Sequence, residues 1–213
     1  MNSNRRPLSS RDTRIMQRTA AWLASTGITP NQISCIAMIF AALGGLLLAF
    51  CSHYATALVF TALMVQMRLL CNLFDGMVAV EGGKKTSTGE LYNELPDRVS
   101  DSLFIIALGY AVSLDWLGWL AALLAALTAY IRVFGGSVGL PQSFRGPMAK
   151  QHRMAVLTAS CLLGAAEIYY TQSQYVLTLG LIIITIGSAA TCALRIRDIA
   201  TALKQRSAQE QQP

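Results

Sequence analysis

Two clusters of polar side chains lie within otherwise apolar sequence, and they are the residues best suited to chemistry. The first cluster is Arg68, Asn72 and Asp75, and the second is Asn93, Asp97 and Asp101. Within each cluster the residues recur every three or four positions, which places them on one face of a helix. Charged groups in apolar surroundings are costly unless they are paired or hydrogen-bonded. The spacing therefore predicts two polar helix faces that meet each other.

The carboxylates of these clusters predict a bound divalent cation. Asp75, Asp97 and Asp101 would repel one another in apolar surroundings, so positive charge must neutralise them. Protons or the nearby Arg68 and Arg98 would serve. Mg²⁺ or Mn²⁺ suits the residue types best, because hard cations prefer carboxylate and amide oxygens. A purely structural ion-pair network between the two helices is the competing interpretation.

The segment 81–89 between the clusters has the composition of a phosphate-binding loop. Its three glycines allow a ligand to approach the backbone closely, and the charges of Lys84 and Lys85 favour an anion. Together with the carboxylates, the loop predicts a phosphorylated substrate that is held through a metal.

The composition indicates that these groups belong to a membrane protein. Of the 213 residues, 54% are hydrophobic and only 13% are charged, about half the charged fraction of a soluble domain. A helix that crosses the hydrocarbon core needs about 20 apolar residues, and six stretches qualify. They are residues 32–52, 54–80, 90–113, 116–139, 154–170 and 175–195. The predicted fold is all-α, a polytopic membrane protein with six transmembrane helices and an N-terminal juxtamembrane amphipathic helix at 14–25.

The distribution of lysine and arginine predicts the orientation of the chain. The connections near residues 53, 115 and 172 contain neither, whereas both terminal segments and the other two connections are rich in them. Because cytoplasmic segments carry this excess, both termini are expected in the cytoplasm, with the helices in the cell (inner) membrane.

Three regions follow from this topology. They are a cytoplasmic N-terminal tail with the amphipathic helix (1–31), a six-helix transmembrane domain (32–195) and a cytoplasmic C-terminal tail (196–213). The net charge of +6 comes from short basic clusters between apolar runs, which suits an anionic membrane surface and not nucleic acid. The five cysteines are odd in number and lack CxxC spacing, which argues against a disulfide framework or a zinc site.

The polar clusters resemble the signature of the CDP-alcohol phosphatidyltransferase family, D-x2-D-G-x2-A-R-x8-G-x3-D-x3-D, which spans its second and third membrane helices. Here the signature reads Asn72-x2-Asp75-Gly76-x2-Ala79-Val80-x8-Gly89-x3-Asn93-x3-Asp97, with every interval kept. Asn72 and Asn93 replace two aspartates, and Val80 replaces the arginine. Asp101 adds a carboxylate one turn after Asp97.

Two further stretches resemble the same family. Residues 29–34, TPNQIS, resemble the TPN-x-x-[ST] start of its first helix, where proline also suits the first helical position. Arg132, Gly146, Lys150 and Arg153 resemble the basic set on its fourth and fifth helices that faces a phosphate pocket.

The resemblance implies a phospholipid-biosynthesis transferase. Such an enzyme moves a phosphatidyl group from a CDP-linked lipid, such as CDP-diacylglycerol, to an alcohol, releases CMP, and depends on Mg²⁺ or Mn²⁺. Asp97 is the implied general base, with Asp101 in reserve. The implied metal ligands are Asp75, Asp97, Asn72, Asn93 and Asp101. The implied CDP- and phosphate-binding residues are Gly76, Ala79, Lys84, Lys85, Gly89, Arg132, Lys150 and Arg153.

The resemblance leaves some questions open. The acceptor alcohol is not specified: glycerol phosphate, inositol or its phosphate, serine and another phospholipid all fit. A homodimer is the implied assembly. The two neutral asparagines predict weaker affinity for a divalent cation. They also motivate an alternative, a non-catalytic relative that binds a CDP-lipid. A small cation or solute transporter with a carboxylate coupling site is the third interpretation.

Overall fold

The computed structural model describes residues 13–80, 82–84 and 87–210, without the side chains of Glu90, Asn93 and Glu210. These residues form seven helices and no strand, which confirms the predicted all-α fold. The helices are α1 (Arg14–Ser25), α2 (Pro30–Cys51), α3 (Ala55–Val80), α4 (Gly89–Ala111), α5 (Asp115–Ser137), α6 (Lys150–Thr171) and α7 (Tyr175–Glu210).

The predicted helix boundaries are wrong at two places. The apolar stretch 154–170 leaves Lys150 and Arg153 in the preceding connection, whereas both lie in the first turn of α6. The last apolar stretch ends at residue 195, whereas α7 continues as a helix to Glu210. In both cases the hydropathy falls while the residues remain good helix formers, so the apolar stretch is shorter than the helix.

Five of the helices are long and apolar enough to cross a membrane: α2, α3, α5, α6 and α7. The chain is therefore a multi-pass membrane protein. Helix α4 has 23 residues, but the part from its start to Asp101 also contains Glu94, Asp97 and Arg98. Because of these charges it does not meet the same criterion, and a sixth span at α4 stays a prediction.

Helix α2 begins with a complete capping box. The Thr29 hydroxyl accepts a hydrogen bond from the Gln32 backbone N–H (3.3 Å), and the Gln32 side chain accepts one from the Thr29 N–H (2.9 Å). Pro30 occupies the first turn, where its missing N–H costs nothing. The TPNQ sequence thus fixes where α2 starts. It thereby also fixes the position on the helix of Ser34, which lies one turn after Pro30.

Helix α2 packs against both α3 and α4, while α5 packs on α4 and α7, and α6 packs on α3 and α7. The fully buried large residues of the core include Leu48, Leu58, Phe104, Leu108, Leu157 and Leu181. Direct contact between α3 and α4 is sparse. The two motif-bearing helices are thus held in place mainly by α2, and they meet through polar side chains at one end of the bundle.

That end, called the site end below, comprises the starts of α2, α4 and α6 and the ends of α3 and α5. At the opposite end, Glu167 of α6 caps the start of α7. Its carboxylate accepts hydrogen bonds from the Ser173 hydroxyl (2.7 Å) and from the backbone N–H groups of Tyr175 and Val176 (both 2.9 Å). One side chain therefore satisfies backbone donors that begin the next helix, and it joins α6 to α7.

We expect Glu167→Ala to lower the free energy of unfolding of the detergent-solubilised protein by about 1–2 kcal/mol. The substitution leaves the first N–H groups of α7 without their acceptor. Glu167→Gln keeps one acceptor oxygen and should fall between the alanine variant and the wild type. Thermal unfolding followed by circular dichroism measures both. Equal stability of all three proteins would show that the cap contributes nothing.

Candidate active site

Asp75, near the end of α3, is buried with 4% of its surface exposed. Its Oδ2 accepts a hydrogen bond of 2.7 Å from the Ser34 hydroxyl of α2. No side chain in the described part of the chain bonds to the other carboxylate oxygen, Oδ1, which is also buried. A buried carboxylate oxygen that lacks such a partner is costly unless a ligand provides one. Asp75 is therefore the best placed carboxylate for a cation.

Asp97 of α4 is the point at which three helices converge. Its Oδ1 accepts hydrogen bonds from Arg68 Nη2 (3.1 Å) and Asn72 Nδ2 (2.8 Å), both on α3. Its Oδ2 accepts a hydrogen bond from the ammonium of Lys150 on α6. The same ammonium donates to Asn72 Oδ1 at 2.6 Å. The predicted meeting of the two polar clusters thus occurs, with Lys150 bridging an oxygen from each.

Asp101, one turn after Asp97, lies deeper, with 2% of its surface exposed. It forms ion pairs with Arg68 (2.9 Å) and with Arg153 of α6 (3.0 Å). Both guanidinium groups are essentially buried. Arg153 also donates to the Met148 carbonyl at 2.9 Å. Asp101 is thus enclosed by two fixed cations, and its environment differs from that of the more accessible Asp97.

Arg132 of α5 forms a second ion pair at the edge of the site. Its Nη2 lies 2.7 Å from Glu94 Oε1, and its guanidinium stacks 5.3 Å from the centre of the Phe144 ring. The Arg98 guanidinium lies near two carboxylates, 3.7 Å from that of Glu94 and 3.9 Å from that of Asp97. These contacts place Arg98 and Arg132 beside the Asp97 cluster as partly exposed cations.

The remaining predicted site residues are placed differently. The Lys84 amine donates to the backbone carbonyls of Ala24 (2.8 Å) and Ile28 (3.2 Å), so it ties the α3–α4 connection to the α1–α2 connection. Gly76 and Ala79 lie half-buried in the last turns of α3, and Gly89 starts α4. Lys85 and the side chain of Asn93 lie outside the described residues.

The site fits a divalent cation only in part. No group of three His, Cys, Asp or Glu side chains with metal-ligand geometry occurs among the described residues. Asn72 contributes an amide in place of an acid, and arginine and lysine side chains already bond to the oxygens of Asp97 and Asp101. Asp75 fits a hard cation, and Asn72 Oδ1 and Asp97 Oδ2 become available to one when Lys150 moves away.

Helix α7 fixes the loop that precedes Lys150. Arg195 donates to the Arg145 carbonyl (2.9 Å) and to the Thr128 carbonyl (2.5 Å), and the Thr191 hydroxyl accepts from the Met148 N–H (2.9 Å). Gly146 has φ +126°, and a Cβ there would stand 2.5 Å from the Thr191 methyl group, so only glycine allows this approach. These contacts fix the position of the loop relative to α7, and with it the start of α6 at Lys150.

Several contributors were not among the residues predicted for the site. Ser34 ends the TPNQIS motif, and its spacing from Pro30 by one turn was the available signal. Arg68 was foreseen as a neutralising charge but not as the residue that joins Asp97 to Asp101. Glu94 and Arg195 carry no signal in a single sequence, because their partners are distant along the chain.

Comparison with known proteins shows which family this chain is similar to. The sequence model described as CDP-alcohol phosphatidyltransferase matches residues 27–192. An uncharacterized protein of Aquifex aeolicus is 31% identical over 183 residues, which cover 83% of this chain and 85% of that protein. Archaetidylinositol phosphate synthase of Pyrococcus horikoshii is 27% identical over 155 residues, covering 72% of this chain and 79% of the relative.

The solved structures of Mycobacterium tuberculosis phosphatidylinositol phosphate synthase have the same fold. The structure with CDP-DAG bound aligns with a TM-score of 0.74 at 19% identity, covering 88% of this chain and 94% of the other. The complex with manganese and citrate aligns with a TM-score of 0.73 at 18% identity, covering 87% and 89%. The motif, the convergence of its residues and the match over most of the chain together confirm the resemblance seen in the sequence: the chain belongs to the CDP-alcohol phosphatidyltransferase family.

Proposed function

We propose that this protein transfers a phosphatidyl group from a CDP-linked diacylglycerol-type lipid to an alcohol and releases CMP, with Mg²⁺ or Mn²⁺ as cofactor. The supporting observation is the convergence of motif residues from α3 and α4, in which Asn72 Nδ2 lies 2.8 Å from Asp97 Oδ1. Family membership favours this proposal over a solute transporter. The relatives bound to CDP-DAG and to manganese support the choice of donor and cofactor.

In the proposed reaction the acceptor hydroxyl oxygen forms a bond to the lipid-side phosphorus. The bond from that phosphorus to the oxygen bridging it to the cytidine phosphate breaks, and CMP leaves with the electron pair. Asp97 takes the proton of the acceptor hydroxyl, because it is the more accessible of the two α4 carboxylates. Asp101 is enclosed by Arg68 and Arg153, so we assign it the task of positioning them. Orienting the reactants in this way removes much of the entropic barrier to in-line attack.

A divalent cation would withdraw charge from the diphosphate when bound. Asp75 would be its principal ligand in the described part of the chain, with Asn72, Asp97 and Asn93 completing the set. Arg98 and Arg132 would face the phosphate groups of the substrates. The relatives named archaetidylinositol phosphate synthase and phosphatidylinositol phosphate synthase, together with these cations, make a phosphorylated alcohol such as inositol phosphate the first acceptor to test.

A groove of about 630 Å³ opens beside the site between the starts of α2 and α4, lined by Asn31, Cys35 and Tyr92 among others. Its lining combines apolar side chains with amides, and the buried Asn31 Oδ1 has no hydrogen-bond partner among the described residues. These properties suit the junction between a lipid and its polar headgroup. We assign this groove to the donor lipid.

The topology is proposed from charge. Both termini and the site end face the cytoplasm, and the helices lie in the inner membrane. In this orientation the site can receive a CDP-linked lipid from the membrane and a phosphorylated alcohol from the cytoplasm. We also propose that two copies of the chain form a homodimer within the bilayer.

We expect purified protein given CDP-diacylglycerol, Mn²⁺ and a pool of alcohols to release CMP, and Asp97→Asn to reduce that rate by at least about a hundredfold, because general-base catalysis contributes factors of this size. Release of CMP is measured by chromatography, and dividing the pool identifies the acceptor.

Asp115→Asn is the matched control, because Asp115 is exposed at the opposite end of the bundle. Its rate should equal that of the wild type. Binding of CDP-diacylglycerol without CMP release by the wild type would support the non-catalytic relative instead.

We expect Asn72→Asp with Asn93→Asp to lower the Mg²⁺ concentration that gives half-maximal activity by at least about tenfold, since each substitution adds a negative charge to the metal site. Activity titrations against Mg²⁺ measure the change. An unaltered metal dependence would contradict the assigned roles of positions 72 and 93.

A further inference from the structure

The two carboxylates of α4 at the site already have cationic partners within the protein. Asp97 and Asp101 are each bonded to two cationic side chains, and Arg68 serves both. The charged groups around the site are the acids Asp75, Glu94, Asp97 and Asp101 and the bases Arg68, Arg98, Arg132, Lys150 and Arg153. Among the described side chains, five bases therefore face four acids.

A divalent cation that enters this site alone gains little attraction. It meets an excess of positive charge in surroundings of low polarity, where uncompensated charge is expensive. A diphosphate brings the missing negative charge. The electrostatic balance thus favours entry of the cation and the diphosphate together over entry of either one first.

Lys150 adds direct competition for ligand atoms. Its ammonium donates to Asn72 Oδ1 and Asp97 Oδ2, and these oxygens come from the two helices that a bridging cation must join. A divalent cation on these two oxygens would lie close to the ammonium that already bonds to both, and like charges at such a distance repel, so the cation and the ammonium compete for the same oxygens. The lysine is 19% exposed and has a flexible stem, so it can swing away from the carboxylate.

The geometry points to an ordered dependence: in this protein Lys150 takes the place of the divalent cation on Asn72 and Asp97, and the cation binds tightly only when a diphosphate accompanies it. This inference rests on the proposed function and specifies how its cofactor is admitted. Since coupling between two ligands is reciprocal, the diphosphate should also bind tightly only with the cation. The displaced ammonium would then face the phosphate oxygens.

The first measurement is binding of Mn²⁺ alone, followed by the electron paramagnetic resonance signal of free Mn²⁺ during titration of the purified full-length protein. We expect weak binding by the wild type and at least about tenfold tighter binding by Lys150→Met, which removes the competing ammonium. Lys150→Gln serves if the methionine variant does not fold. Unchanged Mn²⁺ affinity in the folded variant would overturn the inference.

Arg98→Met is the matched control for charge. Arg98 lies 3.9 Å from the same Asp97 oxygen, so its loss removes a similar positive charge without releasing a hydrogen-bonded ligand atom. We expect a smaller gain in Mn²⁺ affinity than Lys150→Met gives. Equal gains in the two variants would show that charge alone decides and would overturn competition for the oxygens.

The second measurement is the affinity for CDP, a soluble diphosphate probe, by equilibrium dialysis with and without Mn²⁺, corrected for Mn²⁺–CDP association in the protein-free compartment. We expect Mn²⁺ to strengthen CDP binding at least about tenfold in the wild type and clearly less in Lys150→Met. Equal coupling in the two proteins would overturn the inference. Neither measurement requires turnover, so failure here is separable from absence of CMP release.

Discussion

The arrangement of the site depends on one carboxylate, Asp97, which joins three helices. It accepts hydrogen bonds from Arg68 and Asn72 of α3 and from Lys150 of α6, although α3 and α4 otherwise have few contacts. A charge in surroundings of low polarity must be compensated, so the position of α4 relative to α3 and α6 is restricted to one that brings these donors to Asp97. Asp101 repeats the constraint one turn deeper through Arg68 and Arg153.

This constraint gives the departures from the family signature a physical meaning. An aspartate at position 72 would repel Asp97 at hydrogen-bond distance, whereas the asparagine donates to it and also accepts from Lys150. The amide is therefore integrated into the network and is not simply a weakened metal ligand. The competing interpretation from the sequence, a structural ion-pair network, is realised around Asp101. It does not account for the buried oxygen of Asp75 that no described side chain contacts.

Much of the fold could be predicted from sequence because membrane helices must satisfy their own backbone and match the thickness of the bilayer. Helices α1 to α5 accordingly begin and end within two residues of their predicted limits. Hydropathy does not report where a helix continues beyond the apolar region, so it missed the first turn of α6 and the last turns of α7. The contacts of Lys84 could not be predicted from the sequence either. A lysine amine can bind a phosphate, but it can equally donate to backbone carbonyls, as it does here. The meeting of α3 and α4 was predictable from spacing, whereas the contribution of Lys150 and Arg153 was expected only from the family resemblance, which assigned them to phosphate and not to the carboxylates that they contact.

The hold of α7 on the loop before Lys150 has a consequence for where the domain ends. The match to the family stops at residue 192, yet Arg195, three residues later, bonds to the carbonyls of both Thr128 and Arg145. A chain cut at the family boundary would retain every signature residue and lose the anchor of the loop that leads into Lys150. The functional unit is therefore longer than the recognisable one, and chimeras that exchange tails among relatives should join downstream of Asp198, which pairs with Arg145.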